Sequence, residues 1–483
     1  MTTDGRQWGD GKTDKYRHRN CRKPSVYPSE RIVSSHERRF VFALFEHDGN
    51  RNDGGYGVSN DHDTRTVVLS LIAGVFFGGV GGGVAFPTLP RLGSLLGFSA
   101  LTVGIILAIN RFTRMLLNTP AGTVLDRFGT RRPMLVGFTL QGLAPFGYVL
   151  GLTDSWTNGV AGVLPMTATA ASATTFAGSR VLWGIGSAFV FVGAFSTVTK
   201  VTTRENRGKW TGYLRGGQSL GFPAGLVVGG LVANLYGFTP AFLVAGVAGL
   251  FAALVAFFVL PDLNPTVEND TGLREIPGIV AADVRVLSVG VVNFVVRFLF
   301  AGVLLSTVVE YAAVVGIRIG FLDATGISGV VMAVSVLFSS GTTLVAGPAS
   351  DRVSNRAFVS IPSLGFLAVG FGLLALVPSL LGTFVGVAVI GIGVEAVNIP
   401  LLAYLGDISP EDDVGKLGGV YNVFGDFGST VGPLVALPFA VRFSYTTEYL
   451  GCVLLVVLTG VLASFTLLGN EGSQRPISVP SDD

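Results

Sequence analysis

The chain divides into twelve apolar stretches of about 20 residues, the length that crosses a hydrocarbon layer as an α-helix. They run near 66–87, 98–121, 133–152, 176–198, 211–235 and 240–260, and then near 286–311, 324–346, 357–379, 382–405, 418–441 and 449–468. No soluble fold can hide that much apolar surface. Only 13% of the 483 residues are charged, against about 25% in soluble domains. In lipid each backbone N–H and C=O must be bonded inside its own segment, so stretches of this kind form helices. The expectation is an all-α membrane protein with twelve transmembrane helices in two six-helix bundles.

The polar segments set the boundaries. Residues 1–65 are mixed in charge and lack apolar periodicity, as expected of a disordered tail, and no apolar core follows a basic start until Val67, so no secretory signal is expected. The tail's composition also raises the expectation of a start codon assigned too far upstream. Residues 66–260 form the first bundle, 261–285 a linker rich in proline and charge, 286–470 the second bundle, and 471–483 a second tail.

A short charged loop occurs twice. Gly122, Asp126, Arg127, Gly129, Arg131 and Arg132 lie between spans 2 and 3, and Gly347, Asp351, Arg352 and Arg356 lie between spans 8 and 9, at an offset of 225 residues. A second series has an offset of 207: Gly184 and Gly186 return as Gly391 and Gly393, and Gly221 and Gly225 as Gly428 and Gly432. The difference of 18 predicts an insertion between spans 3 and 4, at residues 154–175. Parallel internal repeats of this kind are an architecture of secondary transporters.

Loop charge gives the orientation. One set of loops holds Arg127, Arg131, Arg132, Lys200, Arg204, Arg207, Lys209, Arg274, Arg285, Arg352, Arg356 and Lys416; the opposite set holds Arg91, Arg318 and Arg442. The basic set, and with it both termini, is expected in the cytoplasm of a protein of the cell membrane. All four histidines precede the first span, so proton coupling would fall on carboxylates. Cys21 and Cys452 offer no disulfide framework and no metal spacing. No nucleotide-binding motif, nucleophile–base pair or metal cluster is visible, so neither an enzyme nor a cofactor nor a nucleic-acid partner is expected.

The paired loops resemble the signature of the major facilitator superfamily, Gly-x-x-x-Asp-Arg-x-Gly-Arg-Arg. The resemblance covers residues 66–468. The first copy matches at Gly122, Asp126, Arg127, Gly129, Arg131 and Arg132; the second keeps Asp351 and Arg352 but has Ser354 for the glycine and Ala357 for the last arginine. It implies two bundles rocking around a central cavity, with these loops latching their cytoplasmic ends. Gly217, Gly221, Gly225 and Gly229 place glycine every fourth residue on one face of span 5, which lets another backbone approach closely. That stripe resembles the antiporter motif of proton-driven drug exporters, although Leu226 stands where the motif has proline and Pro223 lies a turn earlier. Gly428, Gly432 and Pro433 form a related row in span 11. Arg180, ahead of Gly184 and Gly186, resembles a second exporter motif whose arginine is implicated in proton coupling.

Ionisable residues within spans are costly, and hence functional candidates. They are Arg111 and Arg114 in span 2, Arg297 and Glu310 in span 7, Glu395 in span 10 and Asp426 in span 11. Spans 1, 4, 7 and 10 line the cavity of the resembled family, which implies Arg180, Arg297 and Glu395 near cargo. Glu395 is the expected proton carrier, with Arg297 as partner and Asn398 one turn away. Glu395, Arg297, Arg180, Asn398, Asp426 and Arg111 together make the expected substrate and proton pathway, Asp426 in a structural or gating role and Arg111 as a buried helix-to-helix tether, and Arg114 is expected in the loop latch. Gly78, Gly79 and Gly81–Gly83 of span 1 are expected to form a flexible segment facing the cavity. The function implied is proton-coupled efflux of a small organic solute by a monomer in the bilayer. Proton symport or facilitated uptake of an organic anion remains the alternative, as does a transporter-shaped sensor that moves nothing.

Overall fold

The computed structural model of the protein describes residues 61–203, 206–261, 283–410 and 414–468. The expected N-terminal tail up to residue 60, most of the linker and the C-terminal tail lie outside these residues. Among the described residues, twelve long helices make the spans. In the first half they are Asp61–Leu95, Ala100–Phe128, Arg131–Gly151, Ala168–Val201, Arg207–Tyr236 and Phe238–Val259. In the second half they are Val284–Val315, Ala324–Ser350, Ala357–Leu376, Leu380–Ile408, Val414–Arg442 and Tyr445–Leu467. Each expected span overlaps one helix, and most helices extend a turn or more past the apolar stretch that marks them.

Local chemistry explains the helix starts. Ser99, Thr167, Asp283, Asp323, Ser379 and Ser444 each accept a hydrogen bond from a backbone N–H in the first turn that follows. These caps satisfy donors that would otherwise be orphaned. Burial alone would raise the Asp283 carboxyl, but hydrogen bonds from the Arg285 side chain and backbone outweigh it and hold the group below the ordinary range. Gly129 turns the chain between spans 2 and 3 at φ 75°, a conformation that a residue with a Cβ rarely adopts. Its counterpart Ser354 is not among the positive-φ residues, so the second loop turns differently.

The spans pack as two six-helix bundles related by the internal repeat. Spans 1 and 5, 2 and 4, 3 and 4, 3 and 6, and 1 and 6 are in contact in the first half. Their counterparts in the second half are 7 and 11, 8 and 10, 9 and 10, 9 and 12, and 7 and 12. The halves meet through spans 2 and 11 and spans 5 and 8, themselves a symmetric exchange. The expected insertion resolves into two parts. A short helix, Asp154–Val163, lies outside the spans, and span 4 begins at Ala168, so the last residues of the insertion belong to its first turns.

The glycine stripe of span 5 lies along span 1. Cβ atoms on Gly217, Gly221, Gly225 and Gly229 would strike Ile72, Phe76, Val80 and Val84 respectively, mostly at the backbone. The partners repeat every four residues as the glycines do, so two helix faces run together for three turns. Span 11 meets span 7 in the same way: Gly428 lies against Phe294 and Phe298, and Gly432 against the Cα of Gly302. Pro433 and Leu434 in turn receive Gly104 of span 2.

The glycines of span 1 serve packing more than flexibility. Gly79 and Gly83 abut Gly221, Phe222, Gly225 and Leu226 of span 5, Gly81 meets the Ala245 carbonyl of span 6, and Gly82 meets the Trp183 ring of span 4. The cavity is lined only by Gly78 and Gly79 of this row, which narrows the expected cavity-facing segment to its first two residues. A helix with neighbours on three sides needs small residues around much of its girth.

A Gly225→Val exchange should therefore cost on the order of 3 kcal/mol, because backbone on the facing helix cannot yield as a side chain can. Gly212 of the same helix has open space around it, and Gly212→Ala should be neutral or slightly stabilising. Thermal unfolding of purified variants in one detergent checks both; an equal loss in the two would rule out the stripe as the packing seam.

Candidate functional site

A cavity of ≈ 520 Å³ lies between the bundles. Spans 1, 2, 3, 4 and 5 contribute Val75, Arg111, Arg114, Asn118, Gln141, Trp183, Ser187, Phe191, Gln218 and Phe222 from the first half. Spans 7 and 11 contribute Asn293, Arg297, Tyr421, Asn422, Gly425, Asp426 and Ser429 from the second. The volume suits a drug-sized molecule, and the wall combines aromatic faces with a few placed polar groups.

One ion pair crosses the cavity. Arg114 Nη2 of span 2 lies 2.6 Å from Asp426 Oδ1 of span 11, with the two side chains 24% and 19% exposed. It joins the halves directly, which changes one expectation: Arg114 belongs to the cavity rather than to the loop latch, while Asp426 lines the cavity. The pair is legible only in three dimensions, because its members are 312 residues apart.

Arg297 also faces the cavity, and its Nη2 lies 3.9 Å from Glu395 Oε1. Glu395 itself is not part of the cavity wall. Asn398 sits behind Tyr421, whose hydroxyl reaches the Asn398 Oδ1 at 3.1 Å, while the Asn293 amide holds the Tyr421 carbonyl at 2.7 Å. Span 7 is π-helical over Phe298–Leu304, immediately after Arg297. Such stretches concentrate at functional sites, and Gly302 within this one provides the close approach to Gly432.

One arginine lies elsewhere than expected. Arg180 is 2% exposed and its guanidinium donates to the Ile106 and Leu107 carbonyls, so it fastens span 4 to span 2 and does not line the cavity. Arg111 does line it. Its guanidinium lies 5.8 Å from the centre of the Phe86 ring, which is also 5.8 Å from the Arg180 guanidinium. Among the described residues Arg111 has no carboxylate partner, so it is not an ion-paired tether between helices.

The halves close on the side that carries Arg91. Arg91 pairs with Glu310 at 3.5 Å, Ser94 donates to the same carboxylate at 2.8 Å, and Asn234 of span 5 accepts from the Asp323 backbone N–H at 2.6 Å. Gly230 and Gly329 bring spans 5 and 8 together there. On the opposite side the signature loops bond within their own halves. Arg131 donates to the Phe257 carbonyl at the end of span 6, and Asn355 to the Leu467 carbonyl at the end of span 12. Arg356 bridges Asp351 and Asp407, whose hydrogen bonds raise its already high basicity. Among the described residues Asp126, Arg127, Arg132 and Arg352 make no ion pair, and none of the signature-loop residues bonds across to the other half.

Two pseudo-symmetric six-helix bundles around a polar cavity, joined among the described residues on the Arg91 side, define a membrane transporter. The sequence comparisons give the family. The Major Facilitator Superfamily model matches residues 71–339 and 299–481, and the chain belongs to that superfamily. Multidrug resistance protein 2 of Bacillus subtilis (strain 168) is 25% identical over 201 residues, 42% of this chain and 45% of that protein. Quinolone resistance protein NorA of Staphylococcus aureus is 22% identical over 209 residues, 43% of this chain and 48% of NorA. The chain thus spans about half the length of the curated relatives it matches. The fold is shared with a bacterial homologue of the human lysosomal transporter Spinster in its inward-facing, occupied conformation, at 15% identity and a TM-score of 0.67, over 85% of this chain and 99% of that one.

Because both members of the Arg114–Asp426 pair are partly hydrated, a double-mutant cycle with Arg114→Ala and Asp426→Ala should give a coupling energy of about 1 kcal/mol in thermal stability. Strict additivity of the two losses would show that the pair does not hold the halves together.

Proposed function

We propose that this protein exports a small organic solute across the cell membrane in exchange for protons, with Asp426 as the coupling carboxylate. The observation that carries the proposal is the Arg114–Asp426 ion pair, which links the two halves from within the cavity. A carboxylate that loses its charge on protonation loses the attraction that holds its arginine. Protonation of Asp426 from the outer side would release span 11 from span 2 and let the bundles rock. Discharge of the proton to the cytoplasm would re-form the pair and prepare the cavity for cargo. Glu395, 3.9 Å from Arg297, is a second carboxylate able to take part in the same cycle.

The excess of basic residues on the loops opposite Arg91 supports a cytoplasmic position for that side and for both termini. The cavity would then open to the cytoplasm in the conformation described, where an exporter collects its cargo. Export is supported by the names of the relatives, which concern drug resistance, and by the glycine stripe of span 5. In the opposite conformation the loop residues Gly122, Asp126, Arg127, Gly129, Arg131, Arg132, Asp351 and Arg352 would come together and close the cytoplasmic side. Asp126, near the end of span 2 and without an ion pair here, would be free to accept a partner from the other half.

Inside-out vesicles loaded with acid and carrying a pH-sensitive dye test the proposal. Cationic, neutral and anionic solutes are added in turn. Solute-triggered proton release is expected from the wild type and is expected to fall to background in Asp426→Asn. Proton exchange that persists in Asp426→Asn but is lost in Glu395→Gln would transfer the coupling role to Glu395. A solute that crosses without moving protons would refute proton-coupled export.

A further inference from the structure

We propose that the cavity selects amphiphilic organic anions bearing one negative charge, with the Arg111 guanidinium as their counter-charge; this rests on the cavity being the cargo site. Three guanidinium groups line it, those of Arg111, Arg114 and Arg297. Arg114 is neutralised by Asp426, and Arg297 has Glu395 within 3.9 Å. Arg111 is left over. The charged groups that act on it are Arg114, Arg180 and Arg297, which repel it, and Asp426, which is already engaged. Among the described residues no carboxylate lies within 4.0 Å of it.

An unpaired cation within a bilayer is expensive, and such residues persist where a ligand completes them. The Phe86 face gives Arg111 partial compensation only. A cation–π contact is worth about 0.5–2 kcal/mol, and this ring faces the Arg180 guanidinium at the same distance. A carboxylate offers more, since the guanidinium fork matches it with two parallel hydrogen bonds in charge-assisted form. Cargo with one negative charge would neutralise the charge left on the cavity wall once Arg114 is set against Asp426 and Arg297 against Glu395. A cation would enter a chamber already carrying an excess positive charge, in surroundings that screen it far less than water does. The rest of the wall indicates the body of the ligand. Trp183, Phe191 and Phe222 provide aromatic faces, and Gln141, Gln218 and Asn422 provide amides for neutral polar substituents. A flat aromatic acid meets all three demands.

The test is equilibrium binding to the purified full-length chain in lipid nanodiscs, by calorimetry at neutral pH. Three probes of one shape are compared: 2-naphthoate, 2-naphthamide and 2-naphthylmethylammonium. The naphthoate should bind at least tenfold more tightly than the cation, a difference of about 1.4 kcal/mol, and more tightly than the amide. In Arg111→Gln the naphthoate-to-naphthamide affinity ratio should fall by about tenfold, and Arg111→Lys should recover part of it. The wild-type order tests the proposal even if a variant fails to fold. Tighter or equal binding of the cation, an unchanged ratio in Arg111→Gln, or no binding of naphthoate at millimolar concentration would each overturn it. Direction and proton coupling do not enter this measurement. A chain that binds naphthoate but moves no protons in vesicles would sink the coupling proposal and leave the anion preference standing.

Discussion

The close backbone contact between spans 1 and 5, repeated between spans 7 and 11, is the constraint on which the rest of the structure depends. Lipid gives no hydrophobic drive for helices to associate, so packing density has to supply it. Glycine at every fourth position of span 5 lets that helix lie on Ile72, Phe76, Val80 and Val84 with no side chain between. The same contact aims the other faces of these four helices. Gln218 and Phe222 of span 5, Val75 and Gly78 of span 1, Arg297 of span 7 and Asp426 of span 11 all turn to the cavity because the stripes lie elsewhere on the same helices. A bulky residue in the stripe would displace a cavity wall as well as loosen a bundle.

Within the cavity, the cost of charge decides the arrangement. Desolvation of a lone arginine or carboxylate outweighs what most packing contacts return, so charges survive there when paired or when awaiting a ligand. Asp426 and Arg114 are paired across the halves, Glu395 stands near Arg297, and Arg180 spends its donors on two backbone carbonyls of span 2. The carbonyls bonded by Arg180 belong to helical residues, so this arginine cements the first half internally and moves with it. Charged groups of identical chemistry therefore do three jobs: a bond within one bundle, a bond between bundles, and an unfilled valence.

Much of this was legible in the sequence, and the limits of legibility have physical causes. Spans and the internal repeat are local properties, carried by runs of apolar residues and by recurring glycine and loop spacings. The insertion after span 3 followed from the mismatch of two offsets. The close-packing role of Gly217 through Gly229 was open to reading as well, because a period of four defines a helix face without reference to a partner. Which helix lay opposite was not, and neither was the seating of charges. Asp426 and Arg114 come from helices whose adjacency depends on how two bundles dock, and no local pattern records it. Assigning residues to the cavity by span number failed for Arg180, since the number of a helix does not tell which way a side chain leaves it. Gly78 and its neighbours carried too little information to separate bending from packing, because small residues permit both. The π-helical stretch after Arg297 left no mark in the periodicity.

The distribution of bonds between the two sides of the membrane bears on how the molecule changes state. On the Arg91 side, polar links such as Arg91–Glu310 and Asn234–Asp323 join opposite halves and reinforce the glycine contact of spans 5 and 8. On the other side, Arg131 and Asn355 each tie a signature loop to the last span of its own half. Each loop is thereby part of a rigid bundle, and its free groups, Asp126 among them, are carried as fixed features of that bundle's end. In the proposed cycle, rocking would exchange one set of bonds across the interface for another while the bonds inside each half stay intact. The Arg114–Asp426 pair lies between these two sets, within the cavity, where under the proposed function proton and cargo would both arrive. A charge change at that point would act on both closures through the tilt of spans 2 and 11, so a single carboxylate could bias the whole exchange without a separate path to either end.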